Sequence, residues 1–317
     1  MEGTMTLKVS RCLLSAITAM VLSLGASTTV LAEDLPDLYF VDAHSQMPKG
    51  LDPDKIIPLM DQAGVRHTIL SARNDRPPQD VADFAAEHPD RITAAVRSKG
   101  KAFNKGSPKF GKLINQQVKQ PVFKALGEAI LFHAQKGKKA PKIDVAIDSP
   151  QSQLLLDIAV KKNWPFIAHY EFAASAWDKS GYMEAFETTV KAHPDHPFAL
   201  IHMGQLNVDD VERLIDAHPN VSFMMSHSNP VTIAKNSGQP WVNLFDGESL
   251  APKWGALMSA HPDRFILAFD NVWPEFWGQF YLDQAALWRK ALSELTPEVA
   301  HALAHGNAER LWNLPLK

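Results

Sequence analysis

Four apolar runs of this chain each close on a side chain able to hold a metal ion or move a proton: YFVDAH at His44, PFIAH at His169, FALIH at His202 and RFILAFD at Asp270. A β-rich apolar run ending in a ligand-type residue is how a parallel α/β sheet or barrel presents chemistry at the carboxyl ends of its strands. Glu128, in KALGEAIL, is a fifth candidate. Imidazoles and carboxylates suit zinc and related divalent ions, and a catalytic site keeps one position open for water. Such an ion lowers the pKa of water from about 16 to about 7 and polarises a carbonyl, which permits hydrolysis at neutral pH. Asp270 is then either a ligand or the catalytic carboxylate that takes the proton from that water and returns it to the leaving group.

One strand-end histidine is usually a hydrogen-bonded pocket residue. Three of them, together with Asp270 and Glu128, point to a shared centre if their strands open on one mouth. In the first run Asp42, His44 and Gln46 alternate, so a regular strand would turn them to one side and Ala43 and Ser45 toward the surrounding helices. Arg97 closes the third run and could grip a substrate carboxylate in a bidentate pair, although the lysine-rich stretches around it would equally serve as solvated surface. His227, in MMSHSNP, is placed to hydrogen-bond a substrate. Trp273, with Trp177, Trp241 and Trp277, falls after a strand and could line an apolar pocket. His133 follows Glu128 with no evident role, and His301 and His305 belong to a C-terminal helix.

The elements that must position these residues are punctuated by a recurrent phrase: EHPDRITAAV, AHPDHPFALI, AHPNVSFMM and AHPDRFILAF. Proline cannot continue a helix and biases the preceding residue toward extended geometry, so each His-Pro ends a helix and the apolar run after it reads as a strand. His88, His193, His218 and His261 are therefore punctuation on the face opposite the chemistry. The same test places strands near Tyr39–His44, His67–Ser71, Ile92–Arg97, Phe123–Ala129, Pro165–His169, Phe198–His202, Val221–Ser226 and Arg264–Asp270. Helices start at Asp52-Pro53, at Ser149-Pro150 and at Asn207, and Gly64 closes the first. Eight strands alternating with helices predict an α/β fold, a (β/α)8 TIM barrel. A doubly wound open sheet is the alternative, but no G-x-G-x-x-G follows the first strand.

Residues 1–32 read as a secretory signal peptide. Lys8 and Arg11 precede an apolar stretch from Cys12 to Leu24 and a small-residue exit at Val30-Leu31-Ala32, and the stretch is too short and too rich in Ser and Thr to span a membrane. Cys12 is the only cysteine, so the mature chain would be thiol-free, which fits a periplasmic or secreted enzyme. Residues 33–317 are expected to form one barrel domain with long loops after the third, fourth and seventh strands. Residues 98–124 carry seven lysines and no acidic residue, yet the net charge of −3 and the lack of an aromatic-interleaved basic stripe exclude a nucleic-acid partner. The expected partner is a small molecule.

VDAHSQ, PFIAHYE, ALIHMGQ, ILAFDN and the closing HGNAERLWNL resemble the amidohydrolase superfamily, and within it the amidohydrolase-2 branch of metal-dependent hydrolases and non-oxidative decarboxylases. The resemblance covers nearly all of residues 33–317 and implies one or two divalent ions at the mouth of a (β/α)8 barrel, zinc first and manganese second. By position it implies His44, His169, His202 and Asp270 as ligands, and GEAIL is similar to a TatD-type segment in which the glutamate ligates, which adds Glu128. The family pattern D-x-H-x-H reads D-x-H-x-Q here, so Gln46 would be a weak ligand at best. The resemblance thus implies a hydrolase of an ester, lactone or amide bond in a small carboxylated molecule. A decarboxylase of the same superfamily is the second reading, and a barrel that has lost catalysis and only binds is the third.

Overall fold

In the structure, a computed structural model that describes residues 1–3, 38–136, 140–175, 177–235 and 238–314, the apolar runs form strands that mostly alternate with helices. The strands are β1 (Phe40–Met47), β2 (Val65–Ala72), β3 (Ile92–Val96), β4 (Phe123–Leu126), β5 (Ala129–His133), β6 (Phe166–Tyr170), β7 (Phe198–Leu200), β8 (Val221–Met224) and β9 (Phe265–Ile266). The principal helices are α1 (Ile56–Ala63), α2 (Pro78–Glu87), α3 (Lys109–Val118), α4 (Pro150–Lys162), α5 (Lys179–Ala192), α6 (Val208–Ala217), α7 (Pro252–Ala260) and α8 (Gln279–Ser293). The chain divides into Met1–Glu33 and Asp34–Lys317, and every element named here belongs to the second unit. The leader expected over residues 1–32 lies outside the described residues apart from the first three. Among the described residues no helix is long and apolar enough to cross a membrane.

Local chemistry accounts for the boundaries. His88, His193, His218 and His261 are the C-caps of α2, α5, α6 and α7. Gly64 ends α1 in the left-handed region at φ 69°, where a residue without Cβ is at no disadvantage. The Asn207 side chain accepts a hydrogen bond from Asp210 N at 2.9 Å and starts α6.

The strands pair in parallel in chain order, β1-β2-β3-β4 in one sheet and β5-β6-β7-β8-β9 in the other. A short antiparallel strand, Ile143–Asp144, covers the free edge of β5. Single backbone bonds carry the last segment back to the first strand: Ala43 N donates to Leu267 O at 3.1 Å, Asp270 N to His44 O at 2.8 Å and Gln46 N to Asn271 O at 3.0 Å. The fold is thus a TIM-type α/β barrel in which the ladder is interrupted at two seams. One apolar cluster draws Val41, Ala43, Ile69, Ala95, Ala125, Ile167, Ala199, Met224, Ile266 and Ala268 from all around the barrel, which identifies them as its interior, and Ala308 and Trp312 join them.

Two expectations change. The fourth strand is not continuous but breaks at Gly127-Glu128 into β4, which pairs with β3, and β5, which pairs with β6. In β1 the register shifts between Asp42 and Ser45, so strict alternation fails. Ala43 joins the interior instead of facing helices, while Asp42 is tied to Ser45 Oγ at 2.5 Å and Phe269 N at 2.9 Å. The irregularity lets His44 and Gln46 reach the centre without Asp42. Long connections follow β3, β5 and β8, and the last carries a short helix, Pro230–Lys235, and a hairpin of Phe245–Asp246 with Ser249–Leu250.

Candidate metal centre

Six ligand-type side chains gather at the carboxyl ends of the strands, all buried: His44, Glu128, His169, His202, His227 and Asp270. They form three overlapping triads, His44–Glu128–Asp270, Glu128–His169–His202 and His202–His227–Asp270, in each of which the ligand atoms lie within 4.8 Å of one another. The donor set, imidazole nitrogens and carboxylate oxygens in tight groups, fits a zinc-like divalent ion.

Unusual backbone aims several of these groups. His202, His227 and Asp270 follow β7, β8 and β9, and each has a left-handed φ, 56°, 56° and 50°. At the first of them the left-handed conformation runs through Met203, Gly204 and Gln205. Such a run disfavours side chains with a Cβ, so the surrounding packing must hold it. Glu128 sits in the gap between β4 and β5. Gly127 makes that gap possible: its N donates to Val96 O at 2.9 Å, and an added Cβ would stand only 2.9 Å from the same oxygen.

Hydrogen bonds distinguish the six. His169 is clamped between carboxylates, Nδ1 to Glu128 Oε2 at 2.5 Å and Nε2 to Glu171 Oε1 at 3.3 Å. Burial alone would lower the His169 pKa, but the two carboxylates raise it. Burial would raise Glu128, and the opposing charges of Lys99 and His169 hold it well below the usual carboxylate range. His202 Nδ1 is bonded to Ser226 Oγ at 2.9 Å, and its ring stacks on that of His227 at 4.4 Å. Burial pushes the pKa of His202 well down and that of His227 to about 4, which favours the neutral imidazole, the form that binds metals. Asp270 reaches three imidazoles, His44 Nε2 at 3.5 Å, His202 Nε2 at 3.6 Å and His227 Nε2 at 3.5 Å.

Gln46 is at the centre, with its nitrogen turned inward. Arg73 Nη1 donates to Gln46 Oε1 at 3.0 Å, and Gln46 Nε2 lies 3.3 Å from His44 Nε2, 3.3 Å from Glu128 Oε1 and 3.2 Å from Asp270 Oδ1. An amide nitrogen donates and does not ligate, so in this orientation Gln46 offers the ion no oxygen. Trp273, 39% exposed, lies under the Arg73 guanidinium at 4.4 Å, at the rim. Trp241, from the loop after β8, meets the rings of His202 and His227 in T-shaped contacts at 5.2 and 5.1 Å, and Lys136 stands 4.5 Å over its ring. Trp277 Nε1 donates to Gln46 O at 3.1 Å, whereas Trp177 is exposed.

Arg97 is set apart. Its backbone is held by Gln117, and its guanidinium feels Asp75 and Arg73 rather than the central carboxylates. The cations that reach the centre are three that the motif pattern passed over: Arg73, Lys99, which pairs with Glu128, and Lys136, which pairs with Glu171. Arg73 follows β2 as His202 follows β7, a signal available in ILSAR, while Lys99 was hidden in a lysine run that reads as surface. Glu171, two residues past His169 and fully buried, had the strand parity to give it away. His133 Nε2 lies 3.2 Å from Lys136 Nζ, and His305 pairs with Glu309 beside Tyr39, far along the chain from these groups.

No curated protein matches the chain. Among solved structures it is similar to an uncharacterized TIM-barrel protein from Bordetella bronchiseptica, with a TM-score of 0.56 and 14% identity over 87% of this chain and 99% of that one. It is also similar to an amidohydrolase from Burkholderia multivorans with bound zinc (TM-score 0.52, 13% identity, 87% and 100% covered). A third is 2,6-dihydroxybenzoate decarboxylase from Rhizobium (TM-score 0.50, 14% identity, 87% and 99% covered). At these identities the likeness is one of fold. The amidohydrolase family profile, however, matches residues 40–314, the whole barrel with its strand-end histidines and Asp270, and the chain belongs to the amidohydrolase family of enzymes.

Proposed function

We propose that this protein is an exported, metal-dependent hydrolase that cleaves an ester, lactone or amide bond in a small carboxylated molecule. The observation that carries the reading is the Asp270 carboxylate within 3.6 Å of three buried imidazoles on neighbouring strand ends. His202, His227, Asp270, His44, Glu128 and His169 are the side chains available to hold a divalent ion, zinc or manganese, which when bound would supply Lewis acidity toward a carbonyl and a more acidic water. Asp270, with Oδ1 3.2 Å from Gln46 Nε2 and Oδ2 3.6 Å from His202 Nε2, is the carboxylate that would take a proton from water and return it to the leaving group. Arg73 and Lys136 supply positive charge at the rim for a substrate carboxylate, and Trp241 and Trp273 limit the entry of water. Export is read from the N-terminal leader.

The decarboxylase reading uses the same residues with the substrate carboxylate turned inward, and the cations Arg73, Lys99 and Lys136 around the centre favour it as a second possibility. Purified mature protein, analysed for metal and assayed on paired panels of lactones, esters, amides and carboxylated aromatics, tests the proposal. Bound zinc or manganese with acid release and no carbon dioxide is expected. Carbon dioxide release would move the assignment to a decarboxylase, and a metal-free protein inert with either added ion would leave a binding barrel.

A further inference from the structure

Cations at the mouth differ in whether their charge is already answered. Lys99 pairs with Glu128 and Lys136 with Glu171, so each is committed to a buried carboxylate. Arg73 feels Asp270 and Glu128, and Arg97 feels Asp75, yet neither guanidinium is in an ion pair among the described residues. The fold sets these two arginines side by side. β2 and β3 pair with Ser71 opposite Ala95, and two residues beyond that pair stand Arg73 and Arg97, the first residues after the two strands. Neighbouring strands lie about 4.8 Å apart, and the arginines share the parity of Ile69 and Ala95, which face the barrel interior. Arg97 N donates to Gln117 Oε1 at 2.8 Å, which fixes the backbone there.

The Arg73 guanidinium lies over the Trp273 ring at 4.4 Å and donates from Nη1 to Gln46 Oε1 at 3.0 Å, two contacts that orient its plane. Gln46 is the only side-chain acceptor it reaches among the described residues, and its Nε has no partner. Two partly buried guanidiniums on adjacent strand ends repel each other, and Asp75, the carboxylate that Arg97 feels, is exposed. An oxyanion between them would offset that repulsion and supply acceptors that both lack. We propose that Arg73 and Arg97 seat the carboxylate of the substrate at the ends of β2 and β3, with Trp273 as the adjoining wall. The Gln46 amide alone separates Arg73 from Asp270, through contacts of 3.0 and 3.2 Å, so this carboxylate is borne only a few bonds from the scissile carbonyl. The inference rests on the hydrolase reading above and narrows it to substrates held beside β2 and β3, rather than at Lys136 in the loop after β5.

Succinate is the probe, with uncharged succinamide as its control, each titrated calorimetrically into mature protein stripped with a chelator so that no bound ion contributes an anion site. One succinate per chain is expected, and succinamide should not compete. Arg73→Gln and Arg97→Gln should each weaken succinate binding about tenfold or more while melting as folded proteins. Asp75→Asn should strengthen it about twofold by removing the competing carboxylate, and Lys136→Gln should matter less than either arginine variant. Binding in both arginine variants equal to that of the parent would overturn the seat. So would a larger loss in Lys136→Gln than in both of them, or no succinate binding by the unaltered protein. If Arg73→Gln does not fold, Arg97→Gln decides, because the Arg97 side chain makes no hydrogen bond to a described residue that its loss would break. The hydrolase reading fails separately. Arginine-dependent succinate binding by a metal-loaded protein that turns over no lactone, ester or amide would keep the seat and remove the reaction.

Discussion

Asp270 and Ser226 show how differently two residues can serve one centre. In the proposed reaction Asp270 is the carboxylate at the position where water and substrate would meet, so Asp270→Asn, similar in shape but with no carboxylate to accept a proton, is expected to lower kcat by about 10^2–10^4 with the fold retained. Steady-state kinetics beside a thermal melt checks this, and near-normal turnover would remove Asp270 from proton transfer. Ser226 never reaches that position. Its hydroxyl holds His202 Nδ1 at 2.9 Å and so fixes which nitrogen faces Asp270. Ser226→Ala should weaken ion binding about 10–100-fold, and Ser226→Thr, which keeps the hydroxyl, should restore most of it. Titration of both variants with Co2+ is the measurement. At this scale the sequence is legible for residues that end an apolar run, His44, His169 and Asp270, because position and chemistry are visible together. Arg73, Lys99 and Glu171 reach the centre through side-chain length and parity, which are not readable until the strands are placed.

Strand and turn geometry decides where those side chains point. The eight apolar runs and the His-Pro stops made the barrel legible, since proline ends a helix wherever it occurs. The shift in β1 and the break at Gly127-Glu128 were not, because both depend on what the neighbouring strand offers. Ala43 N finds Leu267 O, and Gly127 N finds Val96 O. Gly127 provides a direct test of the break. A methyl group there would meet the Val96 carbonyl at 2.9 Å, which is backbone and cannot swing away. Gly127→Ala should therefore cost about 1–3 kcal/mol through overpacking, read as a lowered Tm, and should displace Glu128 from His169. A Tm unchanged from the parent would mean that the seam yields easily. Gly204, at φ 62° with Phe172 Cδ2 3.1 Å from where its Cβ would stand, belongs to the left-handed run that carries His202, and that run has no signature in periodicity.

For the whole molecule, burial of histidine couples the fold to acid. His67 is fully buried in β2, with Nδ1 3.1 Å from Asp90 O and Nε2 2.8 Å from Thr93 Oγ1, and burial pushes its pKa down to about 4. His196, at the end of the barrel where the strands begin, is likewise lowered to about 4 by burial. An unfolded chain takes up these protons near pH 6.5, well before the folded one can. Each group therefore contributes stability that is complete above about pH 6.5 and is progressively lost as the pH falls toward 4. For His67, the better buried of the two, a shift from 6.5 to about 4 corresponds to on the order of 3 kcal/mol across that window. His67→Gln, which cannot be protonated, should be less stable than the parent at pH 8 because its hydrogen bonds fit less well, yet its stability should fall less steeply between pH 6.5 and 4.5. Denaturant unfolding at half-unit steps of pH measures both slopes. Equal slopes would show that His67 titrates alike in the folded and unfolded chain, and the acid sensitivity of the barrel would then have to come from its carboxylates, Glu128 and Glu171, whose depressed pKa values act at lower pH.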